Sequence, residues 1–468
     1  MSADKHLLKL TNIVKNTLLI AKQHQVQCIV AANINIGLGV NVRMQQLDTI
    51  EYNQNSEISI TIYKNHHQGT VKTTSLDAEH LNQAIEKAIS IATFTENDPY
   101  CGLADPNLIA KNIIDLDLYH PQIITPEIAI NIAKNCEQIG LNYAPCIKNS
   151  EGAMFNYNSS FIAIGNSCDF IAAYPTTSYS LACNLIAEEK GSMQRDGDYT
   201  IGRNFQDLTP LEIIGNNAGL YATSKLGAIK IPTNKSKVLF TPRIAAKFFN
   251  CLIAAISGHN IANKSSFLID QINHQIFPKF INIIDEPFIK SGLRSACFDA
   301  DGIATKSQFI ITAGKLNTYL LSNYFAKKLN LIPTGHGNGI HNLFIINNDN
   351  IPNANSIDPL FTEHANKTTP ITDRWEKSND LIQQMQTGLI VTETIGYGVN
   401  LVTGDYSKGA CGFWVENGKI SHPVEEITIA GNLVNMFENI IAIGNDVDYQ
   451  NNIITGSILI DNITIAGR

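Results

Sequence analysis

The chain has few charged residues, no long apolar run and no dense basic cluster. Charged residues make up 16% of its 468 residues, against about 25% in an average globular domain. The formal net charge of -8 and the scattered Lys and Arg argue against direct contact with nucleic acid. No apolar stretch approaches the roughly 18 residues of a membrane span, and lysines interrupt the N-terminal segment where a signal peptide would need an apolar core. We therefore predict a soluble protein with no membrane or nucleic-acid partner.

Paired cysteines are also lacking. The nine cysteines are odd in number and scattered, and no two form a C-x-x-C motif. Most stand among apolar neighbours, which predicts buried free thiols in a reducing compartment. The expected location is the cytoplasm.

The common catalytic motifs are missing as well. The sequence has no Gly-x-Ser-x-Gly elbow and no Gly-Lys-Ser/Thr phosphate loop. Asp270, Asp299 and Asp301 look like isolated carboxylates on turns, and His66-His67 looks like a solvated hairpin turn. The glycine-rich segment around residue 335 does not stand between a strand and a helix, so a nucleotide site is not expected.

The pattern of apolar residues predicts an α+β protein. Ile58, Ile60 and Ile62 alternate with polar residues, as in a half-buried antiparallel strand. Residues 225–236 contain a proline and small polar residues, which favours a boundary there. We predict an N-terminal α/β domain with an antiparallel sheet at 1–230, with a sub-boundary near 120–145. Residues 231–468 are predicted to form a mostly antiparallel β domain with packed helices.

The same patterns predict individual elements. Predicted helices cover residues 4–25, 77–94, 125–140, 208–226, 242–257, 318–329, 378–385 and 432–441. Predicted strands cover residues 26–32, 39–46, 57–64, 70–73, 152–157, 160–165, 170–174, 178–187, 237–241, 343–346 and 412–416. Residues 347–369 are rich in Asn, Asp and Thr and are expected to form a surface excursion.

The stretch from residue 401 to 446 carries the clearest local signals. Asn417-Gly418 follows a run of strand formers and predicts a type I′ hairpin turn. Apolar residues at helical spacing from Leu433 to Ile441 predict a buried helix with Asn432 as its N-cap. Trp414 is expected either to be buried in this layer or to anchor an interface, and burial is favoured.

The segment GDYSKGACGFWVENGKISHPVEEITIAGNL, followed by IAIGND, resembles the C-terminal block of the TldD/PmbA family, and more specifically its PmbA (TldE) branch. The resemblance continues upstream through Ser291-Gly292-Leu293 and through TGHGNGIHN at 334–342. It extends more weakly toward the N-terminus and covers nearly the whole chain.

This resemblance implies that catalytic, TldD-type relatives carry a His-Glu-x-x-x-His zinc motif on the helix matching 242–257, and a Cys ligand near the C-terminus. Two histidines on one helix face can bind zinc, with the Glu as general base. The matching positions here run from about Cys251 to Ile256, and the third ligand position is occupied by Thr455. We therefore expect no catalytic residue and no metal or other cofactor in this chain, with the zinc on a partner subunit.

The motif TGHGNGIHN is interpreted first as a glycine-rich turn leading into the strand at 343–346, and second as a loop lining a cavity shared with a partner subunit. A third interpretation, in which the histidines are metal ligands or a base beside the backbone amides, is disfavoured by their spacing of five. The candidate residues are Gly335, His336, Gly337, Gly339, His341 and Asn342. The histidines have no acidic partner nearby in the sequence, and Glu363-His364 lacks the second histidine of a metal motif.

Three functions remain open. The resemblance implies a non-catalytic subunit that joins a zinc-bearing TldD-type subunit to cleave unfolded or small precursor peptides. The second is a regulatory protein-binding module of the DNA gyrase modulator type. The third is a self-sufficient hydrolase, which no residue spacing supports. A homodimer is the alternative assembly for the chain alone.

Overall fold

The computed structural model describes residues 3–347 and 378–467. The predicted excursion beyond Asn347 and the Glu363-His364 pair lie outside these residues. The helices described are α1 (Ala3–Gln23), α2 (Ala78–Phe94), α3 (Pro126–Leu141), α4 (Leu211–Ser224), α5 (Pro242–Ala255), α6 (Gly258–Ala262), α7 (Asn323–Leu329), α8 (Asn379–Met385) and α9 (Leu433–Glu438). Among the described residues, no helix is both long enough and apolar enough to span a membrane.

The strands form three sheets. Their bounds are β1 (Gln27–Arg43), β2 (Gln46–Lys64), β3 (His67–Thr73), β4 (Ile147–Asn166), β5 (Phe170–Glu189), β6 (Ser192–Gly202), β7 (Asn234–Phe240), β8 (Ile281–Glu286), β9 (Gln308–Thr312), β10 (Lys315–Leu316), β11 (Asn342–Asn347), β12 (Gly388–Ile395), β13 (Asp405–Glu416), β14 (Lys419–Asn432), β15 (Ile440–Ile443), β16 (Ile453–Ile454) and β17 (Ile458–Ala466). The content is 26% helix and 41% strand, mostly in antiparallel sheets, which confirms the predicted α+β class.

The N-terminal sheet has the order β3-β2-β1-β4-β5-β6, and all its pairs are antiparallel. Along β1, buried side chains alternate with partly exposed ones, as expected for a strand covered on one face. Helices α1 and α2 pack on one end of the sheet, and α3 and α4 pack on the other. The helices and the sheet together bury two apolar clusters that hold this half of the chain together.

The C-terminal half contains the other two sheets. One has the order β14-β13-β12-β7-β17-β15, and an additional pairing between β14 and β17 closes five of these strands into a small barrel. The other has the order β10-β9-β8-β11-β16. Helix α5 lies in the largest apolar cluster, which includes side chains from both sheets. Helix α5 therefore packs between the two sheets and connects their apolar side chains in one core.

Several element predictions differ from the structure. The helix predicted at 432–441 ends at Glu438, because Ile440 to Ile443 pair with β17 instead. The helix predicted at 318–329 begins only at Asn323, where Ser322 caps it. Trp414 is partly buried and packs against the main core. The segments predicted as separate strands at 26–32 and 39–46 belong mostly to one continuous strand, β1, which ends at Arg43 before the turn into β2.

Candidate functional site

A carboxylate lies inside the most deeply buried strand of the five-stranded sheet. Strand β8 has the sequence INIIDE, and all six residues are buried. It pairs with β9 on one side and β11 on the other, with Asp285 opposite Leu343. A carboxylate in this position needs hydrogen-bond donors, because an unpartnered buried charge is strongly destabilising.

Both histidines of the TGHGNGIHN motif supply those donors. Asp285 Oδ2 lies 3.0 Å from His336 Nε2 and 2.7 Å from His341 Nδ1. The backbone N–H of His341 donates to the other oxygen, Oδ1, at 2.9 Å. Positive φ angles at Gly335 (78°) and Gly339 (88°) allow the turn that brings both rings to one carboxylate. The three side chains form one buried cluster, which we call the Asp285 cluster.

Thr334 fixes the orientation of the His336 ring. Its Oγ1 lies 2.8 Å from His336 Nδ1 and accepts a hydrogen bond from the backbone N–H of Leu321 at 2.8 Å. With the threonine hydroxyl donating to Nδ1, the imidazole proton lies on Nε2 and points at Asp285. The ring is therefore held on both sides.

Hydrogen bonding decides the charge state of Asp285. Burial raises the pKa of the carboxyl, but the hydrogen bonds from His336 and His341 and the electrostatic attraction to both rings together hold the pKa below its ordinary value. Within the described parts of the chain, the ion-pair partners of Asp285 are these two imidazoles and no Lys or Arg. The cluster thus holds an ionised carboxylate without a permanent cation.

A second buried carboxylate fastens the same turn. Asp299 Oδ2 accepts from the backbone N–H of Gly337 at 2.9 Å, and Oδ1 accepts from the backbone N–H groups of Asp301 and Ile303. Burial, and then the nearby charge of Asp301, raise the pKa of Asp299 to about 6. Asp299 and Asp301 therefore interact with each other beside the turn, and the prediction of isolated carboxylates is wrong for them.

Asp299 should make the protein less stable as pH rises. Its pKa of about 6 in the folded chain lies above the value of about 3.9 for an unperturbed Asp. Stability from this group is therefore fully present below pH ~4 and is lost as pH rises through ~6, by an amount on the order of 2–3 kcal/mol. Urea unfolding of the Asp299→Asn variant should show a gain relative to wild type that grows across this window. The exposed Asp270→Asn is the control, and a gain that does not vary with pH would contradict the prediction.

The positions that match the peptidase zinc site do not fit a zinc ion. Ile256 has no donor atom and lies fully in the apolar core. Burial raises the pKa of the Cys251 thiol, which disfavours the thiolate that zinc needs, and its Sγ lies 3.8 Å from the Lys247 carbonyl. Thr455 is buried, and its hydroxyl donates to the carbonyl of Gly456. No zinc-dependent step can be assigned to these residues.

A cavity of about 440 Å³ lies where β5 and β6 face the start of α5. Its wall includes Arg243, Asp198 and Tyr199, together with Glu393 and Asp448. None of the six predicted loop residues lines it. Of those six, His336, His341 and Asn342 are buried and directed into hydrogen bonds, whereas Gly339 is exposed.

Sequence reasoning missed Asp285, and the statement that the histidines lack an acidic partner is wrong in three dimensions. Asp285 is 51 residues from His336 along the chain. The sequence did contain a signal, because a carboxylate that directly follows the isoleucine-rich segment INII implies a buried polar partner. Among the described residues, the Asp285 cluster is the group whose His, Cys, Asp and Glu donors lie close enough to hold a metal.

Comparisons with known proteins agree with the fold. Family models described as the PmbA/TldA metallopeptidase domain 1, central domain and C-terminal domain match residues 30–92, 119–226 and 233–467. The Metalloprotease PmbA homolog of Buchnera aphidicola from Acyrthosiphon pisum is 38% identical over 461 residues, 98% of each chain. Metalloprotease PmbA of Escherichia coli O157:H7 is 38% identical over 439 residues, 94% of this chain and 92% of that protein.

Solved structures extend the likeness to the whole fold. A candidate modulator of DNA gyrase from Bacteroides thetaiotaomicron has a TM-score of 0.85 at 24% identity, with 98% of both chains covered. TldE from Thermococcus kodakarensis has a TM-score of 0.80 at 17% identity, covering 98% of this chain and all of that one. The family models define a metallopeptidase-like protein. The chain belongs to the PmbA/TldD family, in its PmbA branch.

Proposed function

We propose that this chain is the non-catalytic subunit of a cytoplasmic heteromeric zinc metallopeptidase, paired with a zinc-bearing TldD-type subunit. The observation that carries the proposal is the loss of the ligand set in a chain that metallopeptidase family models match along most of its length. Cys251, Ile256 and Thr455 occupy the expected positions, and their surroundings are those of a packed core. A water-activating zinc needs a deprotonated ligand set and an open coordination position, so this chemistry would reside in the partner.

Exposed apolar side chains support association with another subunit. Ile395, the last residue of β12, is 56% exposed, and in the segment between β12 and β13 Val402 is 59% exposed and Tyr397 is fully exposed. Large exposed apolar side chains that cluster on a surface often mark protein contacts. We assign this segment, together with neighbouring parts of the barrel, to the partner interface. Unfolded or small precursor peptides are the proposed substrates, bound with the partner's zinc.

The test is reconstitution. The lone chain should not hydrolyse an unstructured peptide, whereas mixing it with the His-Glu-x-x-x-His paralogue from the same genome should give cleavage that a chelator abolishes. A paralogue whose motif Glu is replaced by Gln should bind this chain but give no cleavage. Tyr397→Ser should weaken co-purification without lowering the melting temperature. Hydrolysis by the repurified lone chain, or a mixture no more active than the paralogue alone, would overturn the proposal.

A regulatory module without peptidase activity is the second candidate. It is favoured by the fold shared with a candidate modulator of DNA gyrase. The net charge of -8 would favour binding to a protein over binding to DNA. A change in gyrase supercoiling activity on adding this chain, without the paralogue, would move the assignment to this function.

A further inference from the structure

We propose that the Asp285 cluster binds one divalent first-row transition-metal ion, at a place separate from the peptidase positions on α5. The donor atoms are Asp285 Oδ2, His336 Nε2 and His341 Nδ1, which all lie within 4.8 Å of one another. All three residues are buried, so their positions are set by the fold.

The distances resemble those of a ligand set. The Asp285 oxygen lies 3.0 and 2.7 Å from the two imidazole nitrogens. Metal bonds of about 2.0–2.2 Å place neighbouring ligands roughly 3 Å apart. Two imidazoles and one carboxylate form the facial set that suits first-row metals such as Fe²⁺, Co²⁺, Ni²⁺ and Zn²⁺, rather than the all-oxygen set preferred by Mg²⁺ and Ca²⁺.

The surrounding hydrogen bonds already have the form of an outer ligand shell. Metal-bound histidines usually donate the other ring N–H to an oxygen, which fixes the tautomer. Thr334 Oγ1 can accept from His336 Nδ1, because its own hydroxyl can then turn to the carbonyl of Tyr319 or Leu321, each 3.4 Å away. The backbone N–H of His341 holds the second carboxylate oxygen in place. To bind the metal, His336 would carry its proton on Nδ1 and leave Nε2 free, and His341 would carry its proton on Nε2 and leave Nδ1 free.

The electrostatic surroundings are compatible with a bound cation. Among the residues the structure describes, the buried Asp285 carboxylate pairs with His336 and His341 and with no Lys or Arg. A divalent ion held by these three side chains would pair with the carboxylate and would link β8, the glycine turn and the start of β11.

The Asp285 cluster is a different place from the peptidase zinc site, which the sequence predicts to be missing from this chain. The expectation of a metal-free chain considered the peptidase positions Cys251, Ile256 and Thr455, and Asp285 was not part of it. The ion proposed here cross-links the fold, and no hydrolytic role is assigned to it. Its presence and the assignment as a non-catalytic subunit can therefore be tested separately.

Cobalt titration of the tag-free, chelator-treated full chain tests the proposal. We expect about one Co²⁺ per chain, a visible absorption band from nitrogen ligation, displacement by Zn²⁺ and a higher melting temperature. The informative variants are His336→Gln and His341→Asn, because each places an amide N–H near the imidazole nitrogen that it replaces and keeps the hydrogen bond to Asp285. Both should fold like the metal-free wild type and lose at least about tenfold in Co²⁺ affinity.

Two matched controls locate the ion. The exposed His259→Gln on α6 and Cys251→Ser on α5 should bind Co²⁺ like wild type. A folded wild type that takes up no stoichiometric Co²⁺ or Zn²⁺ would show a hydrogen-bonded cluster only and overturn the proposal. Binding that survives in folded His336→Gln and His341→Asn, or disappears in either control, would overturn it as well.

Discussion

Replacing Phe437 by alanine should lower the free energy of unfolding by about 3–5 kcal/mol, because the change leaves a large cavity in a packed core. Phe437 is fully buried on α9. Its ring lies 4.7 Å from that of Phe277 and 5.1 Å from that of Phe248, centroid to centroid. Phe248 belongs to α5, so the substitution removes a contact between the hairpin region and the central helix.

The matched control for Phe437 is Val434→Ala on the same helix. Val434 is 38% exposed, so its truncation should change the free energy of unfolding by only about 0.5 kcal/mol or less. Urea unfolding followed by tryptophan fluorescence and by circular dichroism gives both values. A loss below about 1 kcal/mol for Phe437→Ala would mean that the stretch from residue 401 to 446 does not organise the C-terminal core.

Local sequence predicted elements well where turn chemistry and side-chain pattern agreed. Asn417 and Gly418 have φ angles of 52° and 70°, as the predicted type I′ turn requires. Asn432 caps α9 by accepting from the backbone N–H of Val434. Both signals lie within a few residues of the element they define, so no distant contact was needed to read them.

Long-range pairing explains the elements that the sequence pattern did not predict. Strand β1 continues through Gly37 and Gly39, although glycine weakens isolated strands, because β2 and β4 pair with it on both sides. Strand β6 was missed because its sequence SMQRDGDYTIG is polar, and it forms by pairing with β5. Tertiary hydrogen bonding overrides weak local preference in both cases.

The sequence shows only part of the candidate site, because the rest is brought in by long-range strand pairing. His336 and His341 stand together in one motif, whereas Asp285 joins them only through the pairing of β8 with β11. The pairing register, with Asp285 opposite Leu343, cannot be read from either segment alone. A site divided between two strands needs the fold before its chemistry can be recognised.

Replacing Arg243 by methionine should lower the free energy of unfolding by about 3–5 kcal/mol, because it leaves the carboxylate of Asp198 buried without its cation. The Asp198 side chain is fully buried, and Arg243 pairs with it from α5. Arg243 also donates to the Gly197 carbonyl and lies over the Tyr199 ring, 4.7 Å from its centroid. Burial lowers the pKa of Arg243, but the nearby charges of Asp198 and Asp448, with smaller contributions from Tyr199 and Tyr221, together raise the pKa above its ordinary value and keep the guanidinium charged.

This ion pair connects β6 of the N-terminal sheet with the first turn of α5 in the C-terminal half, so its loss should also uncouple the two halves. We expect the Arg243→Met variant to unfold in two steps, with the N-terminal half melting first.

The control is Lys247→Met, on the exposed side of the same helix, whose free energy of unfolding should stay within about 0.5 kcal/mol of the wild-type value. In the double variant with Asp198→Asn, much of the loss should be recovered, since no buried charge then remains unpaired. The prediction would be contradicted if the double variant lost as much free energy of unfolding as the two single variants summed, and if all variants unfolded in one cooperative transition. That result would show that packing holds α5 against β6 and that the ion pair contributes little.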